Sequence, residues 1–384
     1  MNYHVFVVDN NTFKYHLEYM FAGTGAGDKT VPFLVDSDAY IHSTTERNLV
    51  GMIADVSRIR ENDKIIFYLQ AYNGNQGMFF GVFKAASSAY FDENDEKNYL
   101  KGNMYKALTF RIRIKPDLVF PIGISEHEYL DSLSGVDYPY QMCWSLIYRK
   151  LKGNRGCTMI TDYEFESLVS KLKSINGENI KNSKAVKLTF DDNTLTIKEN
   201  QSSVDYSGRI DSIAIKDRLL YKANRNQAFE VHLQAYIMQM FDKEPLKSLL
   251  LPLPNEAHWV GNEVSCGVGM QRIDIMIVQE KYNEVYIKVV ELKSCEPYMD
   301  ILDRQLPWYI KWVSEYVVPN YINKGKKVIV IPCVLAKGAP TSEITDACKR
   351  FNKSFKQSDS LIIKPAEYIG FNIDTQSIKF NKTV

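Results

Sequence analysis

With 384 residues, 45% of them hydrophobic and 24% charged, the chain is long enough for two cores and has the composition of a fully globular protein. That balance excludes a disordered chain, and a formal net charge of +1 places any phosphate-binding role in local clusters rather than in overall charge. The first twenty residues, MNYHVFVVDNNTFKYHLEYM, lack a basic flank followed by an apolar core, and nowhere do eighteen apolar residues run together. The reading is a cytoplasmic protein, neither secreted nor membrane-spanning. Cys143, Cys157, Cys266, Cys295, Cys333 and Cys348 are scattered without a C-x-x-C pair, as expected of reduced packing thiols rather than a zinc site.

In chain order, strands are predicted over 2–9, 64–70, 78–87 and 107–116, with a helix over 46–59 between the first two. Glu61-Asn62-Asp63 marks a turn into the second strand, and Asn73-Gly74 a bend before the third. FAGTGAGDKT (21–30) lacks G-x-x-x-x-G-K-[ST] spacing and reads as a flexible loop, not a nucleotide site. The layout, carried by ENDKIIFYLQ and GMFFGVFKAASSAYF, resembles the EVE and YTH members of the PUA-like superfamily over about residues 1–150. That resemblance implies a β-barrel or mixed module reading a modified or flipped base in an aromatic pocket. Tyr40, Tyr90, Tyr138, Tyr140 and Trp144 are the pocket candidates; the last three run into the basic cluster Arg149, Lys150, Lys152 and Arg155, which suits phosphates as well as a solvated charged face.

Residues 161–175 form a helical pattern in which Thr161 and Glu164 have capping-box spacing, ended by Asn176-Gly177. The polar stretch that follows places the domain boundary near 177–184, giving domains 1–178 and 179–384. Two short strands around Asp192-Asn193, and another in SGRIDSIAIKDRLL, are expected to extend the second domain's sheet.

NRNQAFEVHLQAYIMQMF (224–241) has apolar residues at helical spacing, which predicts an amphipathic helix with Asn224 or Asn226 as cap and Glu230 near its start. A first-turn Glu also suits the helix dipole. Two strand-like runs follow, RIDIMIV (272–278) and VYIKVVELK (285–293), joined by a polar segment. Alternation puts Val285, Ile287, Val289, Glu291 and Lys293 on one face, and a hairpin brings Asp274 within a residue or two of Glu291. Two carboxylates beside an ammonium suit a divalent cation and a phosphodiester substrate. Gln305 and Tyr309 lie one helical turn apart, with Pro307 between them predicting a kink or a helix start near Leu306.

The series Glu230, Asp274, Glu291-x-Lys293 and Gln305-x-x-x-Tyr309 resembles the motifs of RecB-like nucleases of the PD-(D/E)xK superfamily, and is similar in particular to the carboxyl-terminal domain of NucS-type endonucleases, over about residues 185–384. The resemblance implies a restriction-endonuclease-like α/β fold, with a central mixed sheet flanked by helices. It further implies that Asp274, Glu291, the Leu292 carbonyl and Glu230 hold Mg²⁺ (or Mn²⁺), that Lys293 serves the water nucleophile, and that Gln305 and Tyr309 support the site and DNA strand. The expected function is a Mg²⁺-dependent DNA endonuclease of restriction type whose amino-terminal domain reads a specific or modified base. A mismatch- or structure-directed repair nuclease and a non-catalytic nucleic-acid binder are the alternatives. One active site per chain and two strands to cut lead to the expectation of a homodimer.

Overall fold

A computed structural model describes residues 1–25, 31–92, 99–133, 135–148, 156–181, 187–200, 205–267 and 271–384. They form two compact units, Met1–Asp137 with Gln141–Ala214, and Tyr138–Tyr140 with Ile215–Val384. Both mix helices with sheet.

The first unit opens with β1 (Tyr3–Val8), α1 (Asn10–Glu18), β2 (Phe21–Thr24) and α2 (Ser43–Ser57). Next come β3 (Lys64–Leu69), β4 (Met78–Ala85), β5 (Tyr90–Phe91), α3 (Lys101–Met104) and β6 (Phe110–Pro116). Short β7 (Ile124–Ser125), α4 (Glu126–Asp131) and α5 (Trp144–Tyr148) lead to β8 (Cys157–Ile160) and α6 (Asp162–Asn176). β9 (Lys187–Asp191), β10 (Thr196–Asn200) and β11 (Asp211–Ser212) complete it. Among the described residues the main sheet runs β8-β1-β3-β4-β6-β5-β11, with β2 on β6 and β7 on β4, and curls into a half-barrel. Only β1 and β3 pair in parallel within it. Alternation along β1 and β3 buries Val5 and Ile66 against Leu168 and Leu172 of α6.

Local signals account for the boundaries. Thr161 Oγ accepts from Glu164 N–H at 3.3 Å, and Glu164 accepts from Thr161 N–H at 2.7 Å, the predicted capping box. Asn62 takes φ 72°, and the Asp63 carboxylate then ties down Asn2 and Arg60 N–H at 2.9 and 2.8 Å. Asn73 and Gly74, at φ 48° and 81°, make the tight turn bridged by Tyr72 and Asn75. Phe21–Thr24 is strand rather than the expected loop, and residues 26–30 of the glycine-rich stretch lie outside the described residues.

One expectation is corrected. The β9–β10 hairpin does not extend the second unit's sheet. It forms a two-stranded sheet whose Phe190 packs on Phe13 and Phe80 of the first unit, with ring centroids 4.8 and 5.4 Å apart. Leu188, Phe190 and Ile197 give the hairpin one apolar face, and that face is buried here. β11 likewise pairs with β5.

His16 of α1 yields a pH prediction. Its Nδ1 lies 3.0 Å from the Phe21 carbonyl, its ring lies between Phe21 and Phe67, and burial pushes its pKa down to about 4. Folded His16 is therefore neutral where the unfolded residue, with a pKa of 6.5, already gains a proton. Its contribution is complete above pH 6.5 and is lost as pH falls toward 4, at about 1.4 kcal/mol per pH unit in between. Proton-detected titration is expected to show His16 uncharged at pH 5 while the first unit's melting temperature falls; an imidazole titrating near 6.5 refutes this.

The second unit begins with α7 (Lys216–Asn224), α8 (Glu230–Met240) and α9 (Leu246–Leu250). β12 (His258–Ser265), β13 (Arg272–Lys281) and β14 (Glu284–Lys293) form a meander. A crossover carries α10 (Leu306–Trp312) and α11 (Val318–Ile322), and returns as β15 (Lys327–Lys337) parallel to β14. α12 (Ser342–Arg350), β16 (Leu361–Ile363), β17 (Glu367–Ile373) and β18 (Ile378–Lys382) follow. The sheet order is β12-β13-β14-β15-β17-β18, with β16 on β15, a mixed sheet of antiparallel and parallel pairs.

Two features of these helices differ from the sequence reading. Asn224 ends α7 and Asn226 lies at φ 53°, so neither caps α8, which starts at Glu230 without a side-chain cap. Nor is α8 amphipathic: His232 to Met238 are all buried, so it is enclosed on every side. Pro307 is accommodated as expected, because α10 begins at Leu306. What precedes it is a π turn, Ile301–Gln305, and a second π turn, Val313–Val317, precedes α11 and Pro319.

Candidate active site

β13 and β14 join through a two-residue turn, Tyr282-Asn283, with Lys281 facing Glu284 and Tyr282 at φ 54°. From that end the register runs to Ile275 opposite Val290. One step further places Asp274 opposite Glu291, where the polar residues of both apolar runs meet. There the Asp274 side chain takes over from the backbone: its Oδ2 accepts from Leu292 N–H at 2.8 Å.

Glu291 is fully buried, and Lys293 Nζ bonds its Oε1. Its other oxygen, Oε2, has no hydrogen-bond partner. A buried carboxylate oxygen left without a donor is costly unless a cation uses it. Burial, then the Glu291 charge, pushes the Asp274 carboxyl well above the ordinary carboxylate range, and burial also raises Glu291. For Lys293, burial opposes its charge, but the Glu291 carboxylate outweighs that and its pKa rises.

Glu230, at the first turn of α8, accepts from Ser294 N–H at 3.1 Å, just beyond Lys293, and its charge raises both Asp274 and Glu291. Gln305 Nε2 donates to Tyr309 Oη at 2.9 Å across the start of α10. Tyr309 is buried, and its phenol is raised by burial and then by the Glu291 charge. Glu230, Asp274, Glu291, Lys293 and Tyr309 thus share one electrostatic neighbourhood, and Gln305 reaches it through Tyr309. The Leu292 backbone is held in it by Asp274.

Gln234 escaped the sequence reading. Asp274 is absent from the pairs of both flanking ladders, and Glu263 on β12, in register with it, has φ 47°. The amide of buried Gln234, one turn after Glu230, donates to the Asp274 carbonyl at 3.1 Å in place of a strand partner. The only signal for it in the sequence was its four-residue spacing from Glu230.

Among the described residues no three histidine, cysteine or carboxylate side chains gather as a ready-made metal cage. The two-carboxylate pair, with its unused oxygen and an adjacent backbone carbonyl, suits instead a hard cation that keeps most of its water.

The first unit contains a cavity of about 750 Å³, lined in part by Val7, Tyr68, Gln70, Tyr72, Glu126 and His127. Tyr68 Oη donates to buried Glu126 at 2.9 Å, and a methyl at Gly77 would collide with that hydroxyl. None of the aromatics named from sequence lines it. Tyr40 is 89% exposed, Tyr90 is buried, and Trp144 is half-buried in α5. Tyr138 and Tyr140 stack on each other at 5.8 Å. Among 24 tyrosines, no signal in the sequence singled out Tyr68 and Tyr72, which do line the cavity. Arg149, Lys150, Lys152 and Arg155 lie outside the described residues.

No protein-family model and no curated protein matches the chain. Solved structures similar to it include a hypothetical protein from Leishmania major, at 10% identity and a TM-score of 0.31, covering 46% of this chain and 96% of that one. Human THYN1, in complex with DNA containing 5-methylcytosine, is 11% identical with a TM-score of 0.27, covering 45% of this chain and 98% of that one. Pyrococcus furiosus SfsA in complex with Ca²⁺ is 14% identical with a TM-score of 0.22, covering 51% of this chain and 88% of that one.

Proposed function

We propose that the second unit is a Mg²⁺-dependent DNA endonuclease and that the first is the module that recognises its substrate. The observation that carries this is the facing pair of half-buried Asp274 and fully buried Glu291, with an unpartnered Glu291 oxygen and a lysine alongside. Asp274, Glu291 and the Leu292 carbonyl would hold the cation, with Glu230 completing the shell. When bound, Mg²⁺ polarises the scissile phosphate and acidifies a water. Lys293, bonded to Glu291, would orient the attacking water and offset charge on the phosphate. The Tyr309 phenol stays protonated and donates toward the strand, oriented by Gln305.

In the first unit, the cavity walled by Tyr68 and Tyr72 favours a base-reading role, with exposed Gln70 on its lining to meet the base edge. This supports restriction of DNA carrying a particular or modified base over a purely structure-directed repair role. Two strands cut by single sites call for a homodimer. Purified protein incubated with Mg²⁺ on plain, methylated, hydroxymethylated, mismatched and branched DNA separates these readings. Cleavage of modified duplex is the expected result, cleavage confined to mismatched or branched DNA moves the protein to repair, and no cleavage of any substrate defeats both enzyme readings.

Gln234→Leu is expected to weaken Mg²⁺ binding about 10- to 100-fold, as loss of a hydrogen bond behind a metal ligand commonly does. Calorimetric Mg²⁺ titration checks it, and unchanged affinity means that Asp274 holds its place without the amide.

A further inference from the structure

The residue before Tyr309 is Trp308, 45% exposed, although its Nε1 donates to the Cys266 carbonyl at 3.3 Å. Its one polar atom is therefore used, and the surface it presents to solvent is hydrocarbon. Cys266 lies at the end of β12 beside the acid pair: burial, then the Glu291 charge, raises its thiol to about 12. Next to it, Gly267 has φ 98°, and a methyl there would lie 3.6 Å from Trp308 and 3.7 Å from Trp312. Trp312 in turn stacks on Tyr316, with centroids 5.4 Å apart and planes at 12°. One aromatic row thus follows the crossover helix, beginning at the exposed Trp308 indole bonded to Cys266 and running on through Trp312 to Tyr316.

We propose that Trp308 is a stacking subsite for one nucleobase of the strand whose phosphodiester is cut, a proposal that rests on the nuclease reading. A base fits what is present: it offers a flat π face to the indole, and Lys293 and exposed Lys311 accommodate the phosphates on either side. A fixed ring edge favours this role, because the Cys266 bond holds the indole in place before the strand arrives.

The test uses the full-length protein and oligonucleotides carrying one abasic nucleotide, walked position by position past the cut. For the wild type, KM is expected to rise about five- to a hundred-fold at one position only, the size of a lost base–aromatic stack. Trp308→Ala is expected to show that rise with every base present and no further rise at the abasic position, while Trp308→Phe stays within about threefold of the wild type. A flat abasic profile in the wild type, or equal sensitivity in Trp308→Ala, overturns the subsite and leaves the nuclease standing. No cleavage by the wild type overturns both.

Discussion

Asp274→Asn is expected to abolish Mg²⁺-dependent cleavage, by roughly 10³-fold or more in kcat, while raising the melting temperature of the metal-free protein. Asparagine keeps an oxygen for Leu292 N–H, so the local hairpin survives. What disappears is one of two facing carboxylates, the other of them fully buried. A carboxyl whose pKa is raised on folding holds its proton more tightly in the folded state, so ionising it opposes folding. The penalty is small near the ordinary Asp pKa of 3.8 and grows as pH rises above it, so asparagine should help more at pH 8 than at pH 5. Each kcal/mol relieved corresponds to about 2–4 °C for a unit of this size. Cleavage assays and melting curves at both pH values decide the matter. Unchanged cutting means the acid is misassigned, and a lower melting temperature at pH 8 means that the two carboxylates do not oppose each other.

The largest stability loss is expected in the first unit, from Arg111→Met. Arg111 is fully buried in β6, and its guanidinium donates to the carbonyls of Leu108, Ala107 and Tyr99 at 2.8, 3.0 and 2.6 Å. It also bonds Asp92 at 3.2 Å and Tyr206 Oη at 2.9 Å. Methionine fills much of the volume but removes the guanidinium bonded to buried Asp92, which costs about 3–5 kcal/mol. Arg111→Lys should recover only part of it, because one ammonium cannot reproduce a planar fork of donors. Chemical denaturation of both variants measures the difference; a loss under about 1 kcal/mol for methionine means the pair adds nothing beyond packing.

The acid site was legible because its signal is periodic. Val285, Ile287, Val289, Glu291 and Lys293 keep one face by alternation, so a charge at the end of that face is conspicuous before any coordinates exist. Gln234 was not, because its role depends on a gap in two ladders around Asp274, and a gap between strands leaves no pattern in either one. The burial of α8 was hidden for a related reason: His232, Gln234 and other polar side chains break the apolar stripe while being enclosed by neighbours distant in sequence. The β9–β10 hairpin was found at the right residues but assigned to the wrong sheet, since alternation shows that a strand has a buried face and is silent about what covers it. The cavity in the first unit depends on Tyr68, Gly77 and Glu126 meeting across separate elements, and no spacing announces that.

Each π turn in the crossover holds one residue more than a regular turn, and each lies just ahead of a proline. Along an α-helix one residue corresponds to about 100° of rotation. These two turns therefore act as reservoirs of length: deleting a single residue from Ile301–Gln305 would restore regular winding and keep the faces on either side of it nearly in phase, whereas deleting one between Leu306 and Tyr309, where the winding is regular, would swing Gln305 about 100° relative to Tyr309. Which side chains look toward the acids is in this sense a matter of indexing, so a one-residue deletion should be better tolerated within Ile301–Gln305 than within Leu306–Trp312.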